Sequence, residues 1–212
     1  MSWRSIVKHY IEPNGDIYEF GVFTGGSIEF LIKDLDSVAI PIRKIFGFDS
    51  FEGIPEEKLD KLNRDEWKVG FCSAAKTLNC TKEKAIRYVE ERLSPLHSNI
   101  CLIPGFWDAV LVDELVSRYN MKPASYIDID GDIYSSAILS LDFMFRNKLV
   151  IPGTLIGYDD WGGTMTEHKE FEAGESKAHK EMMEKYNVVA KQLYKVGQPP
   201  HIQTLFRVKS IG

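Results

Sequence analysis

No apolar run in this sequence approaches the ~18 residues that a membrane-spanning helix requires, so no membrane partner is expected. Cysteine is scarce: Cys72, Cys80 and Cys101 are the only three in 212 residues, and none forms a C-x-x-C pair. An odd, unpatterned set suits free thiols in a reducing compartment rather than a disulfide framework. The opening stretch MSWRSIVKHYIEPNGD lacks the apolar segment and cleavage site of a secretory signal, so a cytoplasmic location is expected. Positive charge is not in excess either, with 26 Lys and Arg against 31 Asp and Glu and a net charge of −5. That balance excludes a binder driven by the nucleic-acid backbone. Internal repeats and low-complexity tracts are also missing.

What is present is an ordinary globular composition, 44% hydrophobic and 27% charged. At this length one domain over residues 1–212 is expected, able to bury roughly 70% of its unfolded surface without a staple. Short runs rich in Ile, Val, Phe and Tyr predict strands over 16–22, 44–50, 99–103, 125–131 and 154–160. They are apolar on both faces, as a sheet covered by helices on each side requires. Helical spacing predicts helices over 26–37, 82–96, 107–119 and 134–148, with a helical segment within 1–15. The alternation predicts an α/β fold with a mostly parallel sheet and right-handed crossovers. Beyond Asp160 come a charged helical stretch, 167–186, expected to present a solvated face, and two terminal strands over 188–196 and 201–209. Residues 51–70 are polar, hold Pro55, and are expected to form a surface excursion or lid.

Two groups of residues carry chemistry. The first, YEFGVFTGGS (18–27), closes a strand and opens a helix, with Glu19 two positions before Gly21 and Gly25-Gly26 at the helix entrance. Glycines there let a ligand approach the backbone and the helix N-terminus. The spacing is not the dinucleotide G-x-G-x-x-G, which counts against a nicotinamide-dependent oxidoreductase. Asp49 ends the second strand, 28 residues after Gly21, where a carboxylate can accept both hydroxyls of a ribose. The second group is carboxylate: Asp128, Asp130 and Asp132 at one strand end, Asp159 and Asp160 at another. Parallel strands bring both ends to the edge that holds the glycine turn, and so many carboxylates repel unless a hard cation such as Mg²⁺ relieves them. The competing expectation is that some cap helices, with Asp132 before Ile133-Tyr134 the best placed.

YEFGVFTGGS, FGFDSFEGIPE, YIDIDGDIYSS and LIGYDDWGG together resemble the class I S-adenosylmethionine-dependent methyltransferases, and more narrowly the macrocin O-methyltransferase family of sugar and natural-product enzymes. The resemblance runs in order from about Ile17 to Asp160 and more loosely through 174–178. It implies a Rossmann-like sheet with an antiparallel C-terminal strand inserted beside the fifth strand. It implies that Glu19, Gly21, Gly25 and Ser27 shape the methionine end of a bound S-adenosyl-L-methionine. Asp49 would take the ribose hydroxyls, with Ser50 and Phe51 near the adenine. Asp130, Asp159 and Asp160 match the family's Mg²⁺ ligands, and the acceptor would be a hydroxyl of a small molecule. Related metal-dependent catechol enzymes place a lysine where this chain has Ile133, so the base is sought among Asp130, Asp132 and His168. Trp107 and Trp161 are candidates for an acceptor pocket, with packing as the alternative reading. A metal-independent methyltransferase and a non-catalytic nucleotide-binding protein are the remaining alternatives. A homodimer is compatible with the terminal strands and the 51–70 excursion.

Overall fold

The computed structural model describes residues 3–59, 67–162, 171–198 and 201–212. Seven strands form one sheet: β1 (Asp16–Phe20), β2 (Lys44–Asp49), β3 (Ile100–Pro104), β4 (Ala124–Ile129), β5 (Leu155–Tyr158), β6 (Val188–Gln198) and β7 (His201–Ile211). Their spatial order is β3-β2-β1-β4-β5-β7-β6. The first five pair in parallel, while β7 runs antiparallel between β5 and β6. The strand order reverses between β1 and β4, and in open α/β sheets such a switch point is where ligands bind.

The helices are α1 (Gly26–Asp36), α2 (Ala74–Thr77), α3 (Lys82–Leu93), α4 (Trp107–Val110), α5 (Glu114–Tyr119), α6 (Tyr134–Arg146) and α7 (Gly174–Lys185), preceded by a 3₁₀ segment at Trp3–His9. Strand alternation splits the core in two. Ile17, Ile45, Tyr126 and Leu155 face α1, α3 and Val7 of the 3₁₀ segment. Tyr18, Phe20, Phe46, Phe48, Ile127 and Ile129 face α6 and α7. On that second face Phe20 and Phe48 stack across the β1–β2 pair at 4.6 Å, and Tyr18 stacks on Phe46 at 5.2 Å. Each fully buried ring of this kind contributes roughly 1.5–3 kcal/mol through burial alone.

Three expectations are corrected. The single helix over 107–119 is two short ones, because Leu111 leaves the helical region. Arg146 on α6 stabilises that break, donating to the Leu111 carbonyl at 2.7 Å and to Asp113 at 2.7 Å. The charged stretch before Tyr186 is not a wholly solvated helix: Glu175, Ser176, Ala178, His179 and Met182 of α7 are buried against the sheet and α6. Asp132 does not cap α6, whose N-cap position is Ile133; Glu57 from the 51–70 excursion accepts from the Ser135 amide at 2.8 Å instead. The described ends of that excursion lie against the carboxyl edge of the sheet, where Ile54, Trp67 and Ile133 form a small apolar cluster.

Candidate active site

The turn after β1 is built from backbone constraints. Gly21 has φ +106°, and a Cβ there would lie 1.9 Å from the Asp130 carbonyl oxygen. Only glycine lets the ends of β1 and β4 approach this closely. Gly25 caps α1 in the left-handed region with φ 82°. Gly21→Ala is therefore expected to cost several kcal/mol, since a non-glycine residue is strained at this φ and the clash is with backbone. Urea denaturation would measure it, and a loss under about 1 kcal/mol would show that the turn tolerates a side chain.

Two acidic side chains flank this turn. Glu19 is fully buried, one oxygen accepting from the Ser27 hydroxyl while Oε2 has no protein partner. Burial, reinforced by repulsion from Asp128, pushes its pKa up to about 8. At the end of β2, Asp49 accepts from the Phe23 amide at 2.7 Å and from the Phe51 amide at 2.5 Å. These bonds aim its carboxylate into a cavity of about 450 Å³ that Gly21, Phe23, Ser50, Trp107, Asp130 and Asp132 also line. Burial pushes the Asp49 pKa up, against the backbone amides of Phe23, Phe51 and Val22 that favour its charge. Phe51 is buried with φ 58°, and the Ser50 hydroxyl donates to the Gly53 carbonyl, so both shape the loop that holds Asp49.

The second group of carboxylates meets at the ends of β4 and β5. One ligand atom from each of Asp130, Asp132 and Asp160 lies within 4.8 Å of the others. Asp159 is not one of these three; its Oδ1 accepts from Gln203 at 2.9 Å and from Arg4 at 3.3 Å. Burial, with repulsion from a neighbouring carboxylate next, raises every pKa in the triad. Asp130 is raised by burial and by Asp159, Asp132 by burial and by Asp160, and Asp160 reaches about 6 through burial and Asp159. Three hard oxygen donors at this separation fit a divalent cation of the Mg²⁺ type.

Two partners of this cluster carry no local sequence signal. Arg4 enters from the 3₁₀ segment and bonds Asp128 and Asp130 as well as Asp159. Glu175, fully buried on α7, accepts from the Asp160 amide at 3.0 Å, and its Oε1 has no protein partner. Burial, with Asp160 next, raises the Glu175 pKa well above the carboxylate range. Trp107 lines the cavity and meets Phe20 edge-on at 5.5 Å. Trp161 is core, packed among Tyr158, Phe171, His179 and Phe206. His168 lies outside the described residues.

The buried groups set a pH dependence of stability. Glu19 binds its proton more tightly in the fold than in the unfolded chain, so its contribution is complete below the ordinary carboxylate pKa and is lost as pH rises through about 8. His179 is opposite: burial lowers its pKa to about 3, so stability falls as pH drops below the ordinary histidine value. Denaturation midpoints across pH should therefore decline on both sides of an acid-to-neutral maximum. Glu19→Gln should flatten the alkaline limb, and an unchanged limb would contradict this assignment.

The sheet order and the acidic edge define a Rossmann-like fold of the methyltransferase type. The chain belongs to the Macrocin-O-methyltransferase (TylF) family, whose profile matches residues 3–190. A curated relative from Streptomyces olivaceus, 8-demethyl-8-(2,3-dimethoxy-alpha-L-rhamnosyl)-tetracenomycin-C 4'-O-methyltransferase, is 28% identical over 147 residues, 69% of this chain and 53% of the relative. The chain thus spans about half the length of that relative. Among solved structures, the O-methyltransferase NovP superposes with a TM-score of 0.67 at 18% identity, covering 98% of this chain and 79% of NovP. The calicheamicin methyltransferase CalS11 gives 0.63 at 18% identity, covering 97% of this chain and 75% of its own. At these identities the structural matches speak for the fold.

Proposed function

We propose that this chain is an S-adenosyl-L-methionine-dependent O-methyltransferase that methylates a sugar hydroxyl of a natural product, assisted by Mg²⁺. The observation that carries the reading is the joint placement, around one cavity, of Asp49, the Gly21 turn, Asp130 and Asp132, with Asp160 beside the last two completing an acidic triad. Family membership and the sugar O-methyltransferase named for the Streptomyces olivaceus relative support the reaction class and the acceptor class.

In this reading Asp49 accepts the ribose hydroxyls, and Ser50 and Phe51 border the adenine. Glu19, whose Oε2 lacks a protein partner, meets the cationic amine of the methionine end, and Gly21, Gly25 and Ser27 leave room for that end. The cofactor supplies a methyl group activated on sulfonium, so the protein's task is alignment of donor and acceptor and removal of the hydroxyl proton. A divalent cation supplies Lewis acidity that lowers the hydroxyl pKa. Asp130, Asp132 and Asp160 would hold it, with Asp159 adjacent. The hydroxyl proton would pass to a carboxylate oxygen of this cluster that the cation leaves free.

Incubation with methyl-labelled cofactor and a panel of deoxysugar glycosides tests the reading. The expected result is a methyl ether on a sugar oxygen, formed with Mg²⁺ and suppressed by a chelator. Transfer that is indifferent to chelation would remove the cation from the account. No transfer to any hydroxyl, by protein that binds the cofactor, would contradict the acceptor class.

A further inference from the structure

Arg4 is the one described cation buried among the carboxylates at the ends of β4 and β5. It comes from a 3₁₀ segment more than 120 residues away in sequence, with |i−j| of 124 to Asp128. Its side chain is only 10% exposed. Nε donates to Asp128 at 2.5 Å, Nη2 to Asp130 at 2.9 Å and Nη1 to Asp159 at 3.3 Å. The rigid, planar fork of a guanidinium can bridge three acceptors in this way, whereas an ammonium cannot hold the same geometry. Asp128 is completely buried, and leaving such a charge unpaired is costly.

Asp130 belongs to two sets at once: it accepts from Arg4 and contributes to the triad with Asp132 and Asp160. A unit positive charge in contact with one member of that triad repels any divalent ion bound by it. Arg4 also donates to Asp159, whose Oδ1 accepts from Gln203 as well. We infer that Arg4 is a positioning residue that acts as a built-in counter-ion of the acidic cluster, sharing Asp130 with the bound cation and thereby weakening cation binding to a readily exchangeable level. The inference rests on the cation reading of the proposed function. Asp128 has the opposite part, since its charge offsets that of Arg4 without joining the triad.

Calorimetric titration with Mn²⁺ alone, run in two buffers of different ionisation heat to account for proton release, separates these roles. Arg4→Gln removes the charge and should tighten Mn²⁺ binding by at least about tenfold, because one charge beside a divalent ion is worth that much even at an effective dielectric of ~20. Arg4→Lys keeps the charge and should bind Mn²⁺ within a few-fold of the parent. Asp128→Asn leaves Arg4 less compensated and should weaken binding several-fold. Thermal melts give a second readout: Arg4→Gln should be less stable than the parent in chelator and regain most of that loss with Mn²⁺. A merely structural Arg4 would give the same loss with and without the ion.

Binding to Arg4→Gln no tighter than to the parent, or Asp128→Asn unchanged, overturns the inference. If Arg4→Gln does not fold, Asp128→Asn decides alone. Asp160→Asn serves as the control that separates the two levels. If the parent binds Mn²⁺ and Asp160→Asn does not, the cation reading stands whatever Arg4 does. Absence of binding in every one of these proteins removes the cation reading and this inference with it.

Discussion

Replacing Asp49 by alanine is expected to abolish measurable binding of S-adenosylhomocysteine, a loss of at least about a hundredfold. The carboxylate is placed to accept two ribose hydroxyls, and each charge-assisted hydrogen bond contributes roughly 1.5–3 kcal/mol. Asp49 also ties down the amides of Phe23 and Phe51, so its removal loosens the loops that carry them as well. Asp49→Asn keeps an acceptor for one of those amides and should bind at an intermediate level. Circular dichroism and a thermal melt would show that both variants remain folded, because the sheet core lies below this edge. Binding unaffected in either variant would mean that the ribose sits elsewhere.

Replacing Asp160 by asparagine should reduce methyl transfer by about 10²–10⁴-fold while raising stability. The first effect follows from the loss of one of three donors in the triad, and a bound cation supplies several kcal/mol to a reaction of this kind. The second follows from electrostatics: Asp160 is buried, it raises the proton affinity of Asp132 and of Glu175, and Asp159 raises its own. Removing one charge relieves repulsion that the fold otherwise bears for the sake of the site. A variant that is both inactive and less stable would mean that the Asp160 side chain is structural, since the Glu175 contact to its backbone amide survives the substitution. The His201 ring, 3.3 Å from Asp160, would then lose its partner too.

The strands and the β1 turn were legible because their signals are local. Alternating apolar residues fix the faces of β1, β2 and β4, and Gly21 and Gly25 both fall where the backbone demands positive φ. The parallel pairing of the first five strands followed from strand–helix alternation, and the resemblance supplied the position of β7 beside β5. Asp49 was legible as an acidic residue at a strand end. Long-range pairings were not. Arg4 reaches across more than a hundred residues to its aspartates, and Glu175 joins them from a helix whose composition reads as surface. The neighbours Asp159 and Asp160 divide between Gln203 with Arg4 and the triad, and that division depends on β7 and the 3₁₀ segment rather than on spacing. The break after α4 was hidden because the residue that supports it, Arg146, lies on α6.

The most direct test of the account is calorimetric titration of the protein with S-adenosylhomocysteine, with and without Mg²⁺. One-site binding that Asp49→Ala abolishes is expected, and it should not require the ion, since Asp49, Glu19 and the Gly21 turn are not members of the cation triad. No binding under either condition would contradict the methyl-donor site at the carboxyl edge of the sheet.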